Sequence, residues 1–320
     1  MSPRVLAISG GVGGAKLALG LQHVVPAGEL AVMVNTGDDF EHLGLYICPD
    51  LDTTIYTLSG IAHPEQGWGR ADETWNCNIA LAEYGAETWF RLGDKDLALH
   101  LSRTVRLARG ERLTPIIQDV TRRRGIAVTL LPATDDRVRT KVVTAGGTLD
   151  FQQYFVRERC APKIQALRFD GAAAARITPE VAALLTEPAL AAIIICPSNP
   201  YLSIDPILAI PALRRALATA AAPILAVTPL IQGAAVKGPT AKIMDELGIS
   251  RSPASIVAHY GGLIDGFVLD VRDASEASSI DVPVCIADTL MTTLDDRVRL
   301  AQAALDFAVS LPKRHCERRP

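Results

Sequence analysis

The chain has 320 residues, of which 49% are hydrophobic and 21% charged, and its formal net charge at pH 7 is −3. A chain of this length buries a large core, whereas its near-neutral charge excludes any strong electrostatic case for a nucleic-acid or membrane partner. Six cysteines occur without CxxC pairs, which favours reduced thiols over a zinc site or a disulfide framework. The longest apolar stretch, residues 207–231, contains three prolines and two arginines, so no membrane helix is predicted. We therefore expect a soluble, cytoplasmic protein.

Short apolar runs bounded by Gly, Pro or Asn alternate with amphipathic or alanine-rich stretches along the chain. This alternation predicts an α/β, Rossmann-like fold in which a mostly parallel sheet carries helices on both faces. The predicted strands are Val5–Ile8, Leu30–Val34, Ala127–Leu131, Ala192–Ile195, Ile224–Val227, Phe267–Leu269 and Val282–Ile286. The predicted helices are Ala15–Val24, Asn78–Tyr84, Asp96–Ala108, Pro179–Leu185, Ile210–Ala220, Thr240–Leu247 and Leu294–Val309.

Residues 62–185 differ from the rest of the chain, because they hold all three tryptophans, most of the arginine clusters and weaker strand patterns. We predict that residues 1–61 and 186–311 form the Rossmann-like core, that residues 62–185 form a mixed insertion that covers the substrate, and that residues 312–320 are a tail. In open parallel sheets the ligand lies beyond the carboxyl ends of the strands. The residues that follow each strand are therefore the candidates for chemistry.

The segment "ISGGVGGAKLALG", residues 8–20, leads from the first predicted strand through a glycine-rich turn into a helix. It is neither a Walker A loop nor a dinucleotide fingerprint, because Lys16 stands at the wrong spacing for both motifs. It shares two features with both motifs. Its glycines let a ligand come close to the backbone, and the N-terminus of the helix that follows favours an anion. A turn without a ligand is the alternative. We predict a phosphate-binding loop formed by Gly10, Gly11, Gly13, Gly14 and Lys16.

Polar segments follow other predicted strands. In "NTGDDF", Asn35 offers a short polar side chain, while Asp38 and Asp39 place two carboxylates side by side. In "CPSNP", Ser198 and Asn199 are suited to bind a phosphate or a base edge. A plain turn explains each of these segments about equally well. Their shared position after strands favours a ligand site.

The segment "CPDLDTTIYTLSG" carries two carboxylates, Asp50 and Asp52, one residue apart. In an extended chain both would face the same side and could share a cation, since Mg²⁺ binds one or two carboxylates together with water and phosphate oxygens. Alternatively, Asp52 caps a helix that begins at Thr53. Phosphoryl chemistry needs no covalent intermediate, because positioning and charge neutralisation supply most of the catalysis. A glycine loop with a carboxylate pair fits that chemistry.

In their order along the chain, the segments "GGVGGAK", "NTGDDF", "CPDLDTTIYTLSG", "GWGRADETW", "LGDKDLALH", "CPSNPYLSIDPILAIP" and "VTPLIQGAAVKGP" resemble the 2-phospho-L-lactate transferase family of coenzyme F(420) biosynthesis. The resemblance extends from Val5 to about Leu311. It implies that the terminal ribityl hydroxyl of the deazaflavin FO attacks the phosphorus that bears the acid group of a guanosine-diphospho-linked donor. It also implies that GMP leaves and that Mg²⁺ assists.

The resemblance implies roles for individual residues. Asp50 is the expected metal ligand, and Asp50 and Asp52 are the expected catalytic residues. Asp52 and Arg91 are expected to contact FO. Trp68 and Trp75 either flank its flat ring or pack the core of the insertion. We expect the guanylyl donor to be bound by Gly10, Gly11, Gly13, Gly14, Lys16, Asn35, Ser198 and Asn199.

The sequence leaves other points open. No residue decides whether the donor carries a lactyl, an enolpyruvyl or a phosphoglyceryl group. The alternative function is that of a non-catalytic, nucleotide-sugar-binding regulatory protein of the same superfamily, which would need the glycine loop but neither the carboxylate pair nor Arg91. An NAD dehydrogenase is disfavoured by the absent fingerprint. The family suggests a homodimer.

Overall fold

The structure is a computed structural model that describes residues 4–314. Its strands are β1 (Val5–Ser9), β2 (Leu30–Val34), β3 (Phe40–His42), β4 (Leu45–Ile47), β5 (Thr129–Pro132), β6 (Arg139–Thr144), β7 (Gly147–Asp150), β8 (Ile164–Asp170), β9 (Ala192–Ile195), β10 (Ile224–Val227), β11 (Leu230–Ile231), β12 (Ala234–Ala235), β13 (Gly266–Asp270) and β14 (Val284–Ala287). Its α-helices are α1 (Gly11–Val24), α2 (Pro49–Leu58), α3 (Asn76–Glu83), α4 (Asp94–Ala108), α5 (Leu113–Arg123), α6 (Pro179–Leu185), α7 (Asp205–Leu208), α8 (Pro211–Thr219), α9 (Thr240–Glu246), α10 (Pro253–His259) and α11 (Leu294–Ser310).

A seven-stranded sheet forms the centre of the molecule, in the order β14-β13-β10-β9-β1-β2-β5. Every neighbouring pair in it is parallel. Its strands are the seven predicted from the sequence, and the seven predicted helices are also present, with ends shifted by up to four residues. The predicted α/β fold is therefore confirmed.

Helices cover both faces of the central sheet, because successive residues of a strand point to opposite sides. In β1, Leu6 and Ile8 belong to a core that includes side chains of α6, α8, α9 and α10. Val5 and Ala7 belong to a second core that includes side chains of α1, α2, α5 and α11. Burial on both faces explains why the strands are continuous apolar runs rather than alternating ones.

Part of the range predicted as an insertion belongs to the central sheet, since β5 pairs with β2 at its edge. The same range also forms a separate three-stranded antiparallel sheet in the order β7-β6-β8, which was not predicted. The division of the chain into domains at residues 62 and 185 stays a prediction. Within residues 4–314, no helix combines the length and the apolar character needed to cross a membrane.

The strand order reverses beside β1. The strands β2 and β5 lie on one side of β1, whereas β9, β10, β13 and β14 lie on the other. At such a point the loops that follow two adjacent strands diverge and leave a crevice, which is where open α/β sheets bind their ligands. Here the two loops are the glycine-rich turn after β1 and the "CPSNP" segment after β9.

Candidate active site

The glycine loop packs directly against the segment that follows β9. The backbone N–H of Gly10 donates to the Ser198 hydroxyl, with an N–Oγ distance of 3.1 Å. A Cβ atom at Gly14 would lie 2.5 Å from Ser198 Oγ, and one at Gly10 would lie 2.8 Å from Asp50 Oδ2. The glycines are therefore required by this close packing, which brings the loop, Ser198 and Asp50 together.

Two other predicted donor-binding residues lie beside this loop. Asn199 accepts the backbone N–H groups of Tyr201 and Leu202 through Oδ1, at 3.0 and 3.1 Å. Its Nδ2 atom is buried and has no hydrogen-bond partner among the residues described, so it remains a donor for a ligand. Lys16 donates from Nζ to the carbonyl of Met291, at 2.8 Å.

Helix α2 begins at Pro49, so two expectations about its acidic residues are wrong. Asp50 and Asp52 are not in an extended segment, and Asp52 does not cap a helix that begins at Thr53. Proline is favoured at the first helical position, and carboxylates in the first turn interact well with the helix dipole. Residues two apart on a helix do not face each other, so the two carboxylates point to different surroundings.

Asp50 faces a second buried carboxylate. Its Oδ2 accepts a hydrogen bond from Asn35 Nδ2 at 3.0 Å, and the backbone N–H of Gly11 also donates to it. Burial raises the pKa of Asp50 to about 6. Burial, and then the charge of Asp50, raise the pKa of Asp38 well above its usual range. Asp38 Oδ1 has no hydrogen-bond partner in the described part of the chain.

Asp52 faces a guanidinium instead. Arg103, from α4, is fully buried and binds both oxygens of Asp52, with distances of 2.6 Å from Nη1 to Oδ1 and 2.9 Å from Nη2 to Oδ2. Arg103 Nη2 also lies 2.8 Å from His100 Nδ1, which must accept because a guanidinium only donates. The proton of His100 is then on Nε2, 3.1 Å from Asp96 Oδ2.

Asp39 belongs to the same side of the site as Asp52. Both of its oxygens are buried without a hydrogen-bond partner within residues 4–314. Burial raises its pKa to about 7, although the charges of Arg139 and Arg103 oppose the shift. Each aspartate of the "NTGDDF" segment therefore interacts with a different aspartate of helix α2. Asp38 is repelled by Asp50, and Asp39 interacts with Asp52 and its partner Arg103. Asp38 lies in a turn and Asp39 directly follows it, as the alternative of an acidic turn expects, but both side chains are buried rather than solvated.

Two groups of acidic residues are candidates for a divalent cation. Asp52, Asp96 and His100 place three ligand atoms within 4.8 Å of one another, an arrangement compatible with a divalent metal. The guanidinium of Arg103 already neutralises Asp52, however, and its positive charge would repel a metal ion there. Within residues 4–314, no lysine or arginine pairs with Asp38 or Asp50, and these two offer the hard oxygen ligands that Mg²⁺ prefers. A cation there would relieve the repulsion between two buried charges, so the residues fit the metal expected at Asp50.

Of the two residues expected to contact FO, Asp52 is buried, whereas Arg91 lies in a more exposed region. Arg91 is exposed, and its guanidinium lies over the Trp75 ring, 4.1 Å from the centroid. Trp68 is 54% exposed, so packing in a core, the alternative role of this tryptophan, is wrong. An exposed cation on an aromatic ring and an exposed indole are features of a surface that binds a flat ligand.

Comparisons with known proteins identify the family of the chain. Residues 5–290 match the sequence model of a family described as "2-phospho-L-lactate transferase CofD". The chain belongs to this family. It is 40% identical over 315 residues to the phosphoenolpyruvate transferase of Kitasatospora aureofaciens, covering 95% of this chain and 98% of that protein. It is 39% identical over 314 residues to that of Streptomyces coelicolor, covering 95% of this chain and 98% of that protein.

The fold also occurs in a solved structure of low sequence identity. A crystal structure of a member of the UPF0052 family from Bacillus halodurans superposes with a TM-score of 0.61, covering 95% of this chain and 99% of that one. The identity is 14%, so this likeness concerns the fold alone. As a CofD-family protein, the chain is a transferase of coenzyme F(420) biosynthesis. The alternative of a non-catalytic binding protein is therefore not retained.

Sequence reasoning missed several buried residues of this CofD-family site. Arg103, His100 and Asp96 were not predicted as site residues, although all three lie in the predicted helix Asp96–Ala108. Asp96, His100 and Arg103 are spaced i, i+4 and i+7, which places them on one face of α4. Two of them, His100 and Arg103, are buried together with Leu97. This spacing was the signal that could have identified the network.

Proposed function

We propose that this CofD-family transferase moves a phospho-carboxylic acid group from a guanosine-diphospho-linked donor to the terminal hydroxyl of FO, with Mg²⁺ and with release of GMP. The product would be coenzyme F(420)-0 or its dehydro form. We propose phosphoenolpyruvyl as the group transferred, because the relatives described above, at 39–40% identity, are phosphoenolpyruvate transferases. The 2-phospholactyl and phosphoglyceryl groups are the alternatives.

The observation that carries this proposal is the pair of buried carboxylates beside the glycine loop. Asp38 and Asp50 repel each other in a buried place, and Asp50 lies against Gly10 at the N-terminus of α1. A helix N-terminus attracts phosphate, whereas two carboxylates attract a cation. A metal–diphosphate complex satisfies both features together. Neither a free phosphate nor a free cation would do so.

The proposed step is a direct displacement at phosphorus. The FO hydroxyl oxygen forms the new bond to phosphorus, the bond to the bridging diphosphate oxygen breaks, and its electron pair stays on GMP. The hydroxyl proton leaves to Asp52. Bound Mg²⁺ would neutralise charge on the diphosphate oxygens. Little base strength is needed, since positioning and charge stabilisation dominate phosphoryl transfer.

Each part of the chain has a defined task in this proposal. Asp38 and Asp50 hold the metal. Arg103 fixes the orientation of Asp52 through two hydrogen bonds, and Asp52 positions the FO hydroxyl. Arg91, with Trp75 beneath it, contacts the deazaflavin. The donor is bound by Gly10, Gly11, Gly13, Gly14, Lys16, Asn35, Ser198 and Asn199. We further propose that the protein is cytoplasmic and acts as a homodimer.

The test is to offer the purified protein FO, Mg²⁺ and each of the three guanylyl donors in separate reactions, and to identify the products by mass. We expect GMP and the enolpyruvyl phosphodiester of FO, with the enolpyruvyl donor used fastest. If another donor is used fastest, the proposed enolpyruvyl group is wrong, but the proposed transfer to FO is still supported. If no donor yields a phosphodiester of FO, the proposed function is wrong.

A further inference from the structure

One face of helix α1 carries a group of positive charges that the proposed site does not yet explain. Val12, Lys16 and Gly20 are spaced i, i+4 and i+8, so they lie on the same face of α1. The segment at Gly67 packs against Val12 at one end of this face, and the backbone of Arg297 packs against Gly20 at the other. Lys16 lies between these two contacts.

A second lysine is fixed at the Val12 end. Lys237, in the segment between β12 and α9, donates from Nζ to the carbonyls of Gln66, at 2.8 Å, and Glu65, at 3.4 Å. Its Nζ atom lies 3.5 Å from where a Cβ atom of Gly67 would be. Because its partners are neutral carbonyl groups, its positive charge remains uncompensated. The amine keeps a third N–H for another acceptor.

Arg297, from α11, supplies the third charge. Its Nε atom is buried and has no hydrogen-bond partner in the part of the chain that the structure describes. Burial lowers the pKa of Lys16, and the charges of Arg297 and Lys237 lower it further. Lys16 is therefore close enough to both Arg297 and Lys237 to be repelled by each of them. We call Lys16, Lys237 and Arg297 the cationic stripe.

Nearby basic residues are neutralised, in contrast to the stripe. Arg299, two residues from Arg297 on α11, pairs with Asp296 at 2.9 Å. Lys242, on the helix that follows Lys237, pairs with Glu246 at 2.6 Å. Asp296, the residue before Arg297, attracts its charge, but within residues 4–314 no carboxylate lies within ion-pair distance of a member of the stripe. Three cations without an ion-pair partner along one helix face favour the binding of a multiply charged anion.

We propose that the cationic stripe binds the diphosphate of the donor, which makes Lys237 and Arg297 two further substrate-binding residues. This inference rests on the proposed function, since it assigns residues to the donor. On α1, Gly11, whose N–H donates to Asp50, directly precedes Val12, the end of the helix face where Lys237 is held. A diphosphate bound at this end would lie nearest to a metal at Asp50, with Arg297 contributing its charge from the other end of the face.

The test is calorimetric titration of the full chain with GDP, ADP, inorganic pyrophosphate and guanosine at constant salt. In Lys237→Gln and Arg297→Gln we expect GDP and pyrophosphate to bind about tenfold more weakly, since each variant loses a charged hydrogen bond. Guanosine binding should not change. Lys242→Gln and Arg299→Gln are matched controls, because they remove the same charges from paired positions, and they should bind GDP within about twofold of the unmodified chain.

The outcomes separate this inference from the proposed donor. If both stripe variants bind pyrophosphate and GDP as tightly as the unmodified chain does, the stripe does not hold the diphosphate. Failure of the unmodified chain to bind any of the phosphate probes would also overturn it. A third outcome is that the affinities for pyrophosphate, ADP and GDP fall equally in the variants, while the unmodified chain binds ADP as tightly as GDP. In that case the stripe does bind a diphosphate, but the proposal of a guanylyl donor is wrong.

Discussion

Two buried carboxylates on helix α2, Asp50 and Asp52, have opposite electrostatic surroundings. Asp52 is matched by the buried guanidinium of Arg103, which binds both of its oxygens. Asp50 lies beside Asp38, a second carboxylate, and both have raised pKa values because they are buried. A buried charge is costly unless it is paired or binds a metal. The charge of Asp52 is therefore compensated within the protein, whereas we propose that a cation from outside compensates Asp50 and Asp38.

The largest effect should come from Asp50→Asn, which removes the proposed metal ligand and keeps the shape of the side chain. We expect turnover to fall by roughly 10³-fold or more, since metal and charge stabilisation supply several kcal/mol to the transition state. The melting temperature at pH 7 without metal should not fall, because the variant removes one of two repelling charges. Asp306→Asn, at an exposed position of α11, is the control. Full activity of Asp50→Asn at saturating Mg²⁺ would show that Asp50 holds no essential metal.

Removing the buried ion pair between Asp52 and Arg103 should mainly reduce the stability of the fold. Arg103→Gln leaves Asp52 buried without its guanidinium, and we expect a loss of about 3–5 kcal/mol in the free energy of unfolding, measured with urea. Arg106→Gln, on the same helix, breaks more exposed pairs with Glu111 and Asp119 and should cost about 0–1 kcal/mol for each pair. Equal losses in the two variants would mean that the Asp52 side is not a buried ion pair of this kind.

The buried carboxyl groups of Asp50 and Asp39, one on each side of the site, should make the stability of the protein depend on pH. Burial raises the pKa of Asp50 from 3.8 to about 6 and that of Asp39 from 3.8 to about 7. The folded state thus holds these protons more tightly than the unfolded chain does. This contribution to stability is complete below about pH 4 and is lost as the pH rises through 6 to 7.

Mg²⁺ should replace those protons at Asp50. We expect Mg²⁺ to raise the melting temperature by several degrees at pH 8 and by much less at pH 5, since metal binding competes with protonation. In Asp50→Asn this pH-dependent increase should disappear. A shift in melting temperature that is equal at both pH values would indicate that the metal binds away from the raised carboxylates.

The smallest effect tests the exposed side of the site. Arg91→Ala removes the cation that lies over Trp75, and we expect the affinity for FO to fall about three- to tenfold while GDP binding stays unchanged. Titration followed by deazaflavin fluorescence measures this directly. Arg109→Ala, an exposed arginine at the end of α4, serves as the control. An unchanged affinity for FO would remove Arg91 from the acceptor site.

The central sheet was predictable because each strand is a short apolar run buried on both faces. The prediction failed where tertiary contacts override the local pattern. Helix α2 begins at Pro49, a position where proline is favoured, yet the acidic residues after it favoured an extended interpretation. The β6–β8 sheet has mostly exposed or half-buried residues on β7 and β8, so it lacks the apolar runs that identified the central strands.

The acidic site was only partly predictable for a related reason. Asp50 and Asp52 were identified together as candidate site residues. A sequence cannot show, however, that Asp50 lies beside Asp38 whereas Asp52 lies on the same side as Asp39. Arg103 was missed because a single arginine in an amphipathic helix usually lies on the solvated face. Its position three residues after His100, on the buried face of α4, shows that it is a partner for Asp52.

The most direct test of the account is a crystal structure of the full chain with GDP and Mn²⁺, in which anomalous scattering locates the metal. The account predicts one Mn²⁺ between the carboxylates of Asp38 and Asp50, in contact with the diphosphate. Mn²⁺ bound instead by Asp52, Asp96 and His100, or a diphosphate far from Asp50, would contradict it.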